Sequence, residues 1–175
     1  MATANGALDG ASHPVSVMLM ARLSALMFMQ FFVWGAWAVT LGLVMQTVGI
    51  GNLIANAFSV GPIASIAGSF LLGMAATRYL SPKALMVILH LAGGAILLAL
   101  PALLTPEKGG TFVWVLLGYM ILYMPTVGLA NTIALKSLGA RDDRFPFVRA
   151  FGTLGWIVAG LIIGWAALSA SPEIF

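Results

Sequence analysis

The 175-residue sequence is 61% hydrophobic and only 7% charged, with 8 basic and 5 acidic residues, net charge +3 and mean hydropathy +1.05. An average soluble domain carries roughly 25% charged residues, so a water-soluble globule of this composition lacks the polar surface to cover itself. The basic residues are scattered rather than clustered with aromatics, which argues against a nucleic-acid partner, and the absence of cysteine excludes disulfides, a thiolate nucleophile and a cysteine metal site.

Residues 1–18 read as a short cytoplasmic tail, of which 1–14 are small and polar with one acid, Asp9, and no basic stretch ahead of the first apolar run. A bilayer-spanning helix needs about 20 mostly apolar residues. Runs of that length recur at 19–45, 53–76, 84–104, 112–135 and 147–170, which predicts an all-α integral membrane protein of about five transmembrane helices. The connectors carry turn residues: Gly49 and Gly51, Ser81-Pro82, Pro106 with Gly109-Gly110, and a charged stretch over 136–146. With the N-terminus on the cytoplasmic side, Arg22, Arg78, Lys83, Lys136, Arg141 and Arg144 fall together and the opposite loops hold only Lys108, as the excess of Lys and Arg in cytoplasmic loops requires. An odd number of spans leaves 171–175 on the outer side, and the expectation is a partial transporter half over 19–175.

Polar residues inside the spans are informative, because lipid satisfies none of them. On the first span Gln30, Trp34, Trp37 and Leu41 recur at helical spacing and form one stripe. The tryptophans either form an interfacial belt or pack the bundle, or they form a stacking wall for a planar solute, with Gln30 as its polar end. His90 in the third span is either a neutral packing histidine or a functional group. In the fourth span Pro125, beside Thr126, Gly128, Asn131 and Thr132, predicts a kink that either packs normally or lines a cavity. In the fifth, Arg149, Thr153, Trp156 and Gly160 fall within an arc of roughly 60°. This column sets a cation, a hydroxyl and an aromatic on one face, with snorkelling of Arg149 to the headgroups as the competing reading. Gly152, Gly155, Gly160 and Gly164 permit close helix contact. All five acids (Asp9, Glu107, Asp142, Asp143 and Glu173) fall in predicted loops or tails, so no intramembrane carboxylate is supplied for proton coupling. No phosphate loop, metal cluster or catalytic set is visible; the reading is of a non-enzyme with no cofactor and no metal.

Three segments carry a resemblance: Gln30 to Trp37 continuing through Thr40-Leu-Gly42, Tyr123-Met-Pro125-Thr126-Val-Gly128-Leu-Ala-Asn131-Thr132-Ile, and Phe145-Pro-Phe-Val-Arg149-Ala-Phe-Gly152-Thr153-Leu-Gly155. Together, from about Ala21 to Leu168, they resemble the nucleoside:proton symporter family of the major facilitator superfamily. The resemblance implies a twelve-helix fold in two halves around a central cavity, of which this chain is similar to helices one to five. It further implies proton-coupled nucleoside transport by alternating access in a bacterial inner membrane. The nucleoside pocket would then include Arg149, Thr153 and Trp156, with Gln30, Trp34 and Trp37 facing the same cavity. The partners so implied are a nucleoside, a proton as coupling ion, the lipid bilayer, and a second half of the transporter or a complementary chain. The alternatives are a facilitator-type transporter of a sugar or organic acid, or a non-transporting membrane fragment or subunit. One departure concerns the loop after the second helix, where Thr77 precedes Arg78 at a position that is usually acidic in the superfamily.

Overall fold

The computed structural model describes residues 15–71 and 80–166 and is helical throughout, without strands among those residues. Among the described residues six α-helices follow one another: α1 Val17–Ala38, α2 Leu41–Thr47, α3 Ile54–Leu71, α4 Pro82–Ala99, α5 Gly109–Leu138 and α6 Phe145–Trp165. The expected first span, 19–45, is thus two helices. Thr40 relaxes to φ −105°, ψ −3° and breaks the rod between α1 and α2, although no proline stands there.

Local chemistry accounts for most of the boundaries. Gly49 takes φ +82° and turns the chain between α2 and α3, in a region of backbone space that glycine enters without a Cβ penalty. Ser81 caps α4 by accepting from the Ala84 amide at 3.2 Å, and Pro82 follows at the first helical position, where its missing N–H costs nothing. Gly139, at φ +56°, ends α5 and leads through a short 3₁₀ segment, Gly139–Arg144, into α6. The expected run at 53–76 is helical from Ile54 to Leu71, with Leu53 in a short 3₁₀ segment before it; residues 72–76, with Thr77 and Arg78, lie outside the described residues.

Among the described residues three segments are, by length and composition, long and apolar enough to cross a membrane: Val17–Thr47, Pro82–Leu103 and the 57-residue Gly109–Trp165. A straight helix of that last length would rise about 85 Å at 1.5 Å per residue, against a hydrocarbon core of roughly 30 Å, so it has to fold back. Side-chain pairings show that it does. On α1 and α5, Leu23 and Met27 share a buried cluster with Ala130 and Ala134, Gln30 meets Thr126, and Trp37 meets Tyr119, so the two helices are antiparallel. On α1 and α6, Phe31 meets Arg149 while Gly35 lies against Trp156 and Ala159, so these two are parallel. The legs α5 and α6 therefore run in opposite directions. Gly61 beside Met120 and Gly68 against Pro125 set α3 parallel to α5, and His90 against Tyr123 with Gly93 against Tyr119 sets α4 antiparallel to it. The described residues thus form an alternating bundle of five legs.

The α1–α6 contact is backbone against backbone. A Cβ on Gly155 would overlap the Phe28 carbonyl oxygen, and one on Gly35 would sit 3.0 Å from the Trp156 carbonyl oxygen. In lipid, where hydrophobic burial does not drive helices together, such close approach supplies the dispersion contacts that do. The interior packs around two clusters, one with Leu41, Met45, Leu100, Phe112 and Leu116, the other with Met27, Ala130, Ala134 and Val148. The outer faces stay apolar: Ile66, Leu98 and Trp165 are 77%, 79% and 92% exposed, which suits a hydrocarbon solvent.

The directions of the legs bring the basic residues together. Arg22 on α1, Lys83 in the first turn of α4, Lys136 in the last turn of α5, and Arg141 and Arg144 in the turn before α6 all belong to the end of the bundle where Leu19, Met86 and Leu138 pack. Lys108 stands at the opposite end, beside Gly109, whose neighbours are Ile50 and Leu53.

Candidate functional site

The stripe read along the first span divides into three environments. Gln30 turns to α5, where its side-chain amide donates to Thr126 Oγ1 at 2.7 Å. Thr126 in turn donates to the Tyr123 carbonyl at 2.6 Å, and the Tyr123 hydroxyl donates to the Gln30 carbonyl. This closed polar ring, buried in the middle of the helices, satisfies groups that lipid could not.

Trp34 turns to α6 and meets the Trp156 ring edge to face, with centroids 5.1 Å apart and an interplanar angle of 88°. Such pairs contribute about 0.5–1.5 kcal/mol beyond their buried area, because the positive ring edge meets the negative face. Trp37, 3% exposed, packs its ring against Tyr119 at 5.7 Å. Trp34, Trp37 and Trp156 together line a cavity of about 330 Å³. Its opposite wall comes from α3 and α5, through Phe58, Pro62, Ser65, Met120 and Met124. Ligand pockets typically hold roughly 300–1,000 Å³ and combine aromatic walls with few polar groups, and this cavity has both properties.

Arg149 and Thr153 do not line that cavity. The Arg149 guanidinium carbon lies 4.1 Å from the centroid of the Phe31 ring. Phe31 sits about 21 Å of helical rise beyond Val17, so the cation is turned inward along the bundle and not out to the chain end. Thr153 is exposed on α6, one turn beyond Arg149. Among the six residues singled out from the sequence, the structure therefore joins the three tryptophans, sets Arg149 about 10 Å along α6 from Trp156, and commits the Gln30 amide to α5.

His90 is half-buried on α4. Its Nδ1 lies 2.9 Å from the Met86 carbonyl oxygen, which can only accept, so Nδ1 carries the proton; the ring packs edge-on against Tyr123. Among the described residues no three His, Cys, Asp or Glu side chains gather as a metal site. Two contributors escaped the sequence reading. The α3 wall was missed because Pro62 and Ser65 look unremarkable in a second apolar run, though their break in apolar character is a visible signal. Phe31 was missed because an aromatic in a membrane helix carries no mark of the cation it will meet.

The sequence profile of the nucleoside H+ symporter family matches residues 17–173. The chain belongs to that family. It is 36% identical over 146 residues to YegT of Escherichia coli (strain K12), covering 83% of this chain and 34% of that protein. To the nucleoside permease NupG of the same organism it is 35% identical over 156 residues, covering 86% of this chain and 37% of the permease. The crystal structure of the nucleoside transporter NupG superposes with a TM-score of 0.80 at 33% identity, over 89% of this chain and 39% of that one. The chain thus spans about a third of the length of the curated relatives it matches. At this identity the match carries the fold of a transporter's first helices onto this nucleoside H+ symporter family member, in agreement with the alternating bundle derived above.

Proposed function

We propose that this chain supplies the first-half wall of the solute pathway in a proton-coupled nucleoside transporter that works by alternating access, with the site near the bilayer midplane. The observation that carries the reading is the Trp34–Trp156 pair on a cavity of nucleoside-compatible size in a chain of the nucleoside H+ symporter family. A nucleobase is planar and gains from aromatic faces, whereas its ribose needs donors and acceptors. Trp34, Trp37 and Trp156 would pack the base. Arg149 and Thr153 lie on the same α6 column and would bond the polar part of the solute. Gln30 would act from behind, holding α1 against α5. The carboxylate for proton coupling would come from the part of the transporter beyond these helices, since the acids among the described residues stand in connectors. The basic end of the bundle supports a cytoplasmic N-terminus in a bacterial inner membrane.

The test is equilibrium binding of labelled uridine to the chain in nanodiscs, beside Arg149→Ala, with glucose and an organic acid as competitors. Saturable binding that uridine alone displaces, and that Arg149→Ala loses, supports the reading. Binding retained in Arg149→Ala removes Arg149 from the site, and displacement by the sugar or the acid changes the solute class.

A further inference from the structure

Arg149 is the cation of the α6 column, and what holds it is unusual for a charge inside a membrane bundle. Among the described residues it forms no ion pair: the ion pairs there are Arg141 and Arg144 with Asp143, at 3.4 and 3.3 Å, both in the exposed turn before α6. Its partner is a ring. The guanidinium carbon stands 4.1 Å over the centroid of Phe31, itself only 8% exposed. The space for this stack is made by Gly152, where a Cβ would sit 2.7 Å from Arg149 Nη1 and 2.7 Å from Phe31 Cδ2.

We propose that Phe31 is a positioning residue for Arg149, fixing the guanidinium over its face so that the N–H edge stays free for solute; this rests on the reading of Arg149 as part of the nucleoside site. The physical argument is one of geometry. A carboxylate partner would bind the guanidinium through its edge and occupy the donors in a bidentate pair. A ring binds through the flat face, compensates the charge by its quadrupole and leaves the five donors in the plane available. Gln30 and Trp34 flank Phe31 on α1, with the Trp34 ring centroid 6.2 Å from that of Phe31, so the stack is continuous with the aromatic wall of the cavity. The same contact lies beside Gly155, where a Cβ would meet the Phe28 backbone of α1. Phe31, Gly152 and Arg149 act as one unit, and the cation is set before solute arrives.

Two readouts on the chain in nanodiscs test this. The first is the ¹H–¹⁵N side-chain signal of Arg149, assigned by its loss in Arg149→Ala and shifted upfield by the ring current. Phe31→Leu, which keeps the apolar bulk but has no π face, moves the signal to the position of an unstacked arginine; Phe31→Tyr and Phe31→Trp keep it upfield. The second is uridine Kd, expected to rise roughly tenfold in Phe31→Leu and to recover in Phe31→Tyr or Phe31→Trp. An Arg149 signal unmoved by Phe31→Leu overturns the stack. A moved signal with unchanged Kd, while Arg149→Ala abolishes binding, overturns the positioning role and leaves the site standing. Binding intact in Arg149→Ala overturns the site reading and this inference with it.

Discussion

The side-chain amide of Gln30 donates to the hydroxyl of Thr126 at 2.7 Å, from α1 to α5, and the direction of that bond is forced. The single proton of the Thr126 hydroxyl is already given to the Tyr123 carbonyl, so toward Gln30 it can only accept. The amide nitrogen must therefore face Thr126, and Gln30 Oε1 is left as a buried acceptor with no partner among the described residues.

Removing either partner strands the other in a medium without water. Gln30→Leu and Thr126→Val should each lower stability, by about 1–3 kcal/mol if a buried polar group is left unmade. The double variant should lose less than the sum, with a coupling of roughly 0.6–1.7 kcal/mol as found for hydrogen bonds between membrane helices. Reversible unfolding of the four proteins in mixed micelles measures this cycle; additive losses would show that the bond contributes nothing.

The α1–α6 contact has no room for a side chain at Gly155. Gly155→Leu should separate the two helices and abolish the cooperative thermal transition, because the obstacle is the Phe28 backbone and not a movable side chain. At Gly164 a Cβ meets nothing within 4 Å, so Gly164→Ala should leave the melting temperature unchanged or raise it, alanine being the better helix former. A tolerated Gly155→Leu would mean that the helices are not in backbone contact.

Trp156→Ala removes one wall of the cavity and the edge-to-face partner of Trp34. Stacking of a base on an aromatic side chain is worth about 1–3 kcal/mol by alanine substitution, so uridine affinity should fall by a factor of about 5 to about 150. Trp156→Phe should restore part of it. Isothermal titration of the chain in nanodiscs reads both, and equal affinities in all three proteins would exclude Trp156 from the solute wall.

The chain has no cysteine, so single cysteines report topology against an empty background. In intact cells Lys108→Cys should react with a membrane-impermeant maleimide and Asp142→Cys should not, until the membrane is opened. The reverse pattern would invert the orientation drawn from the basic end of the bundle.

Much of this was legible in one dimension. The apolar runs needed only a count of consecutive residues against the thickness of a bilayer, and the turns at Gly49 and at Ser81-Pro82 follow from the chemistry of one or two residues. The α6 column from Arg149 to Trp156 was visible for the same reason, since 100° per residue is a property of any helix. The break at Thr40 was not: no proline or glycine marks it, and neighbouring helices decide whether a β-branched residue stays in a rod.

The amino-acid sequence by itself determined the solvent, the number of apolar runs, the basic side and the family, because these depend on composition, run length and local motif. The tertiary structure alone decided which way each side chain of a stripe turns. Gln30 and Trp34 are one helical turn apart, yet one bonds Thr126 on α5 and the other meets Trp156 on α6. Arg149, free in sequence to snorkel outward, is held inward by a ring 118 positions earlier in the chain. Helical periodicity fixes directions relative to one axis, and only the packing of α1 between α5 and α6 tells which neighbour lies in each direction.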